Sequence, residues 1–186
     1  MLDRCGEVGL SHHGAKRHWF ALLDRNTVTE KDLERVMHST DEQTAFYGYH
    51  VFATAMENPE KSLLSEKELQ TGMEVTAQQI AWGVPKRLAS ALQAASCAAE
   101  RRPDLLTERC TELVLNGLAQ LLDETRITSE DTMKMASEKG NIRSEAVCLA
   151  AKLDGKSSTE EGRETLERWR AVSCDPEEFA EIRTAR

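Results

Sequence analysis

The chain is predicted to be almost entirely α-helical, and three observations carry that expectation. Helix-start signals recur along it, apolar residues repeat at helical spacing between them, and no segment sustains the period-two alternation of a half-buried strand. Composition agrees, since 40% of the 186 residues are hydrophobic, 30% are charged and only 5% are aromatic. A β-sandwich or barrel of this size normally draws more heavily on aromatic and β-branched residues. The expected architecture is an irregular multi-helix bundle or a short stack of helical hairpins, with about nine or ten helices joined by short loops. It forms a single helical domain over 1–186, in which 1–14 is a candidate flexible segment.

The starts come in chain order. Val28, Thr29, Asp32 and Leu33 form a staple-and-cap arrangement, so a helix is expected from Thr29. Ser65 followed by Glu68 is a capping box, with Leu64 and Leu69 placed to clamp the entering chain. Asp104 after Pro103, and Thr128 or Ser129 after Ile127, mark two further starts. Ser158 with Glu161 repeats the capping box, and Asp175 before Pro176 closes the series. Stops are expected at Gly140 and Gly155, where a left-handed terminal residue suits glycine.

Between these signals run the stripes that should form the core. Leu69, Met73, Thr76, Ile80 and Val84 make one; Leu106, Cys110, Leu113, Gly117 and Leu121 make another, flanked by Val114, Leu118 and Leu122. The second is apolar over so wide an arc that its helix should be central. Ile142, Ala146, Leu149 and Leu153 continue the pattern, as do Leu166 and Trp169. The small side chains of 89–99 should let a neighbouring helix approach closely. The consensus patterns of the common helical repeats are absent, which favours an irregular bundle over a regular solenoid.

Charge and cysteine usage narrow the function classes. A net charge of −8 opposes general binding to nucleic acid or to an anionic membrane, and no apolar run approaches the roughly 18 residues of a spanning helix. The start MLDRCGEVGLSHHG lacks the apolar run of a signal peptide, so a cytoplasmic, acidic, soluble protein is expected. The five cysteines, Cys5, Cys97, Cys110, Cys148 and Cys174, are odd in number and contain no C-x-x-C pair. Reduced thiols are expected, with Cys97, Cys110 and Cys148 acting as small buried hydrophobes. Cys5 and Cys174 lie nearer helix boundaries, although the acids Asp175, Glu177 and Glu178 would oppose a Cys174 thiolate.

Motifs for chemistry are sparse. Residues 150–157, AAKLDGKS, match a permissive phosphate-loop pattern, but that loop needs a strand before it and Ala150 reads as helical. A helix stop followed by a polar loop explains the same residues. His12, His13 and His18, with Cys5 upstream, are the weak candidates for metal binding; their spacing puts no two rings on one helical face, so neither metal nor cofactor is expected. No Glu-x-x-His pair, calcium loop or dinucleotide fingerprint is present.

The segment 41–58 concentrates four aromatics, Phe46, Tyr47, Tyr49 and Phe52. As a helix it sends Ala45, Tyr49, Phe52 and Met56 to the core and turns Tyr47, His50, Val51 and Thr54 largely outward. That outward set is either covered by another helix or used as a contact surface. The sequence therefore points to a helical protein–protein interaction or adaptor module, of effector, immunity, chaperone or inhibitor type, whose partner is another protein or a second copy of itself. The alternatives are an enzyme with an unfamiliar helical site using cysteine or histidine, and a metal- or nucleotide-responsive regulator.

Overall fold

The computed structural model describes residues 30–39, 41–57 and 64–175. Seven α-helices follow one another: α1 Glu30–Met37, α2 Glu42–Glu57, α3 Glu66–Ala81, α4 Pro85–Arg101, α5 Glu108–Glu124, α6 Met133–Lys152 and α7 Glu160–Cys174, with a 3-10 turn at Pro103–Leu105 before α5. No strand occurs among the described residues. The all-α class stands, and among the described residues the helices number seven rather than nine or ten.

Several misread signals account for the difference in bounds. Gly140 does not stop a helix: it lies buried inside α6, which runs on for three more turns. Among the described glycines, Gly83 and Gly155, at φ 61° and 73°, take the left-handed conformation that a helix-ending glycine supplies. Asp104 starts nothing longer than the 3-10 turn, and α5 begins instead where Thr107 accepts a bond from the Cys110 amide. Likewise Thr128 sits in a turn held by Asp131, while Thr132 caps α6 through the Met135 amide. At α7 the cap is Thr159, one residue beyond Ser158. The box at Ser65 forms as expected, Glu68 Oε2 accepting from the Ser65 amide at 2.6 Å. The start expected at Thr29, the one after Asp175 and the segment 1–14 lie outside the described residues.

The helices stack by alternation. α1, α3, α5 and α7 pack each on the next to form one layer, α2, α4 and α6 form the other, and contacts of α1 with α2, α3 with α4 and α6 with α7 join the layers. The described helices thus form two layers. Their sequence basis is the width of the apolar arcs: a helix in the middle of such a layer needs apolar cover on two sides and across to the other layer. In α5, Cys110, Val114, Leu115, Leu118, Leu121 and Leu122 are all buried, as its wide arc requires. In α4, Ala91, Ala94, Ala95 and Ala98 leave room for α2 on one side and α6 on the other.

Close approach is sharpest at Gly117. A Cβ there would fall 2.5 Å from the Ile80 carbonyl oxygen, so α5 can seat on α3 only because the side chain is absent. Gly72 does the same for the Phe52 ring, 2.8 Å from the position a Cβ would take. These glycines cost helix propensity, about 1 kcal/mol each, and return it as interhelical contact.

Candidate functional site

α2 opens with Asp41, whose carboxylate accepts from the Thr44 amide at 2.8 Å and from the Thr44 hydroxyl. That cap fixes the helical phase of the aromatic segment. Ala45, Tyr49, Phe52 and Met56 are then buried, all 2% exposed or less. The four residues expected to turn outward divide. Tyr47 and Val51 are buried, whereas His50 and Thr54 are exposed.

The exposed edge gains a member that the sequence reading passed over. Phe46 is 47% exposed and lies one turn before His50, with the two rings parallel to within 2° and their centroids 6.2 Å apart. Its other side meets the Tyr47 ring edge-on at 5.7 Å. The i, i+4 spacing of Phe46 and His50 is the sequence signal that could have found the pair. The result is a ring-lined strip of Phe46, His50 and Thr54 on the outside of the even layer, rooted in the core through Tyr47.

The expected chemistry elsewhere resolves into structure. Lys156, from the phosphate-loop-like stretch, donates to the Ala99 carbonyl at 3.1 Å and so closes the end of α4. Ala150 is in α6, and Ser157 bonds to Thr159. Cys110 is buried as expected and Cys97 is half-buried, bonded to the Ala53 carbonyl; burial pushes both thiols above their ordinary range. Cys148 departs from expectation, because it is exposed on α6. Cys174 is exposed at the end of α7. His12, His13, His18 and Cys5 lie outside the described residues, among which no group of three or more metal-ligating side chains occurs.

Two arginine-centred arrangements were not foreseen. Arg143, 3% exposed, projects from α6 to the end of α5, donating to the Leu122 carbonyl at 2.9 Å and to the Thr125 hydroxyl at 3.2 Å. Its guanidinium lies 5.3 Å from the Trp169 ring centroid, and the Trp169 indole donates to the Leu118 carbonyl at 3.0 Å. One charged group thus ties α5, α6 and α7 together.

The other arrangement occupies the corner between α3 and α4. Gln79, 1% exposed, joins His38 Nδ1 at 2.9 Å through its amide nitrogen and accepts from Arg87 at 3.0 Å through its oxygen. Trp82, which ends α3, is 64% exposed and stands beside the His38 ring at 6.1 Å. Burial and the Arg87 charge lower the His38 pKa, against an opposite pull from Glu34. Tyr49, approaching from α2, is driven well above the ordinary phenol range by burial, while Arg87 acts on it in the other direction. A Trp-Gly at a helix end, followed two residues later by Pro-Lys-Arg opening the next helix, is the trace this corner leaves in the sequence.

The fold defines a class, a short two-layer helical stack. Comparison with known protein families, curated proteins and solved structures returned no match to this chain.

Proposed function

We infer that the chain is a helical protein–protein interaction module, and that the outer edge of α2 is its contact surface. The observation supporting this most is the exposed, parallel Phe46–His50 pair. A helix edge facing only water gains no more than about 0.5 kcal/mol from an i, i+4 ring pair, whereas rings that combine apolar faces with a polar edge are the groups interfaces favour. Thr54 extends the surface along the helix, while Tyr47 and Val51 hold it from beneath. Hairpin stacks lend themselves to this use, since their layers present continuous helical faces.

The occupant is another protein or a second copy of this chain. The net charge of −8 argues against nucleic acid as the general partner, and no described helix is long and apolar enough to cross a membrane. The free thiols of Cys97, Cys110, Cys148 and Cys174 fit a reducing compartment, which supports a cytoplasmic setting.

The test is a double substitution, Phe46→Ala with His50→Ala. It should leave the melting temperature within a few degrees of wild type, because Phe46 and His50 are exposed, while sedimentation loses self-association or a photocrosslinker at Thr54 loses its adduct. Association and crosslinking unchanged in the double variant would reject α2 as the surface.

A further inference from the structure

A cleft of about 380 Å³ opens between the segment leading into α5 and the loop that joins α6 to α7. Ligand-binding clefts run from roughly 300 to 1,000 Å³, so it has room for a small molecule or one long side chain. Its α5 wall is a single helix face, Glu108, Thr111, Glu112 and Leu115, at i, i+3, i+4 and i+7. Pro103 and Leu106 add apolar surface, and Lys156 and Ser157 line it from the loop.

Thr111 sets this cleft apart from the rest of the interior. Four threonines are buried among the described residues, Thr76, Thr111, Thr125 and Thr165. Three of them donate to the carbonyl four residues earlier, Thr76 to Gly72, Thr125 to Leu121 and Thr165 to Glu161. Thr111 is 7% exposed, yet its hydroxyl has no hydrogen bond to any described residue. Buried hydroxyls are normally satisfied, so an unpartnered one on a cleft wall calls for an explanation.

The charges beside it are unpaired as well. Glu108 and Glu112 form no ion pair among the described residues, whereas Glu66 and Asp104 both meet Arg102. Lys156 brings the one positive side chain in the lining, and its ammonium is held by the Ala99 carbonyl at 3.1 Å, in the last turn of α4. Two full carboxylate charges outweigh the roughly half positive charge at the start of α5.

We propose that this cleft binds a primary ammonium carried on an apolar chain. An ammonium has three N–H donors, and the α5 wall offers three acceptors, two carboxylates and a hydroxyl, on neighbouring positions about 5–6 Å apart at their Cβ atoms. A planar guanidinium would take one carboxylate side-on and leave the hydroxyl unmet. Pro103, Leu106 and Leu115 would cover the alkyl stem, since such stems lie along apolar surface while the charged head stays among polar groups.

The amine can belong to a free alkylamine or to a lysine side chain of another protein, and two probes separate these sources. n-Hexylammonium represents the first, and lysine acetylated at its α-amino group and methylamidated at its carboxyl represents the second. n-Hexanol is the control without charge, and hexyltrimethylammonium the control without N–H donors. NMR of the full chain should show saturable shifts at the Thr111 and Leu115 methyl groups with either primary ammonium and none with hexanol. The trimethylated ion should bind at least about tenfold more weakly, the scale of lost charge-assisted hydrogen bonds. Whichever primary ammonium binds more tightly identifies the source. Glu112→Gln should also weaken binding at least about tenfold. Thr111→Val should weaken it several-fold while leaving the melting temperature equal or higher, because it removes an unpartnered hydroxyl. Should Thr111→Val fail to fold, Glu112→Gln and the trimethylated ion decide together. No saturable shift with either ammonium, equal shifts with hexanol, a trimethylated ion bound as tightly, or a Thr111→Val variant that binds like wild type would each overturn the assignment. Failure here leaves the α2 surface untouched, because the two share no residue.

Discussion

Arg143 and Arg87 come from helices in the same layer, Arg143 from the middle of α6 with its guanidinium at the end of α5, and Arg87 from the first turn of α4. Arg143 is spent on the fold. It donates to the Leu122 carbonyl and the Thr125 hydroxyl, and it lies over Trp169, so its charge offsets the negative end of α5. Arg87 sits at the positive end of α4 and holds one neutral amide. A cation placed where the helix dipole repels it stabilises nothing by that placement. The comparison teaches that the helix end a cation faces, rather than its charge alone, decides how much its placement stabilises the fold.

The largest expected effect follows from Arg143. Arg143→Ala leaves a buried carbonyl unsatisfied, opens a cavity beside Trp169 and loses the cation–ring contact, a combined cost of about 3–5 kcal/mol. Urea unfolding would read it as a lower midpoint at constant slope. A loss under about 1 kcal/mol would dissolve the contrast between the two arginines.

An intermediate effect is expected at Gln79, which is buried and joins two helices through His38 and Arg87. Gln79→Ala should cost about 1–2 kcal/mol, as two hydrogen bonds to part-exposed partners are lost. The same variant sharpens the comparison, because it should also release Arg87 and broaden its guanidinium resonance.

The smallest effect is a pH dependence. Burial first, and then Arg87, lower the His38 pKa in the folded chain, and Glu34 only partly opposes them. The unfolded chain therefore binds the proton more readily, and the stabilising contribution of neutral His38 is lost as pH falls from about 6.5 toward the lower folded value. Melting curves between pH 5 and 7 should slope less in His38→Gln than in wild type. A wild-type chain whose His38 contribution grows on acidification would show that Glu34 dominates the ring.

Legibility in the sequence followed the range of each interaction. The capping box at Ser65 spans three residues and was readable to the residue. The core stripes of α3 and α5 were readable because periodicity needs only one helix at a time. Gly140 and Gly155 carry the same letter, yet one is packed inside α6 and the other turns the chain at positive φ; only tertiary contact distinguishes them. On α2, the phase that buries Tyr49 and Phe52 was clear, while the burial of Tyr47 and Val51 depends on what lies on a second side. The corner around Gln79 joins residues 41 apart in one bond and 8 apart in another, spacings no local pattern encodes. Thr107 and Thr159 took caps assigned to Asp104 and Ser158, because several small polar residues stand within a turn of each other and loop geometry chooses among them.

Hydrogen exchange of the arginine side chains tests the central contrast most directly. In the free chain at neutral pH, the Arg143 guanidinium protons should exchange slowly, protected by bonds that open only with the fold, and those of Arg87 should exchange close to the rate of an exposed arginine. Equal protection of the two arginines would contradict the account.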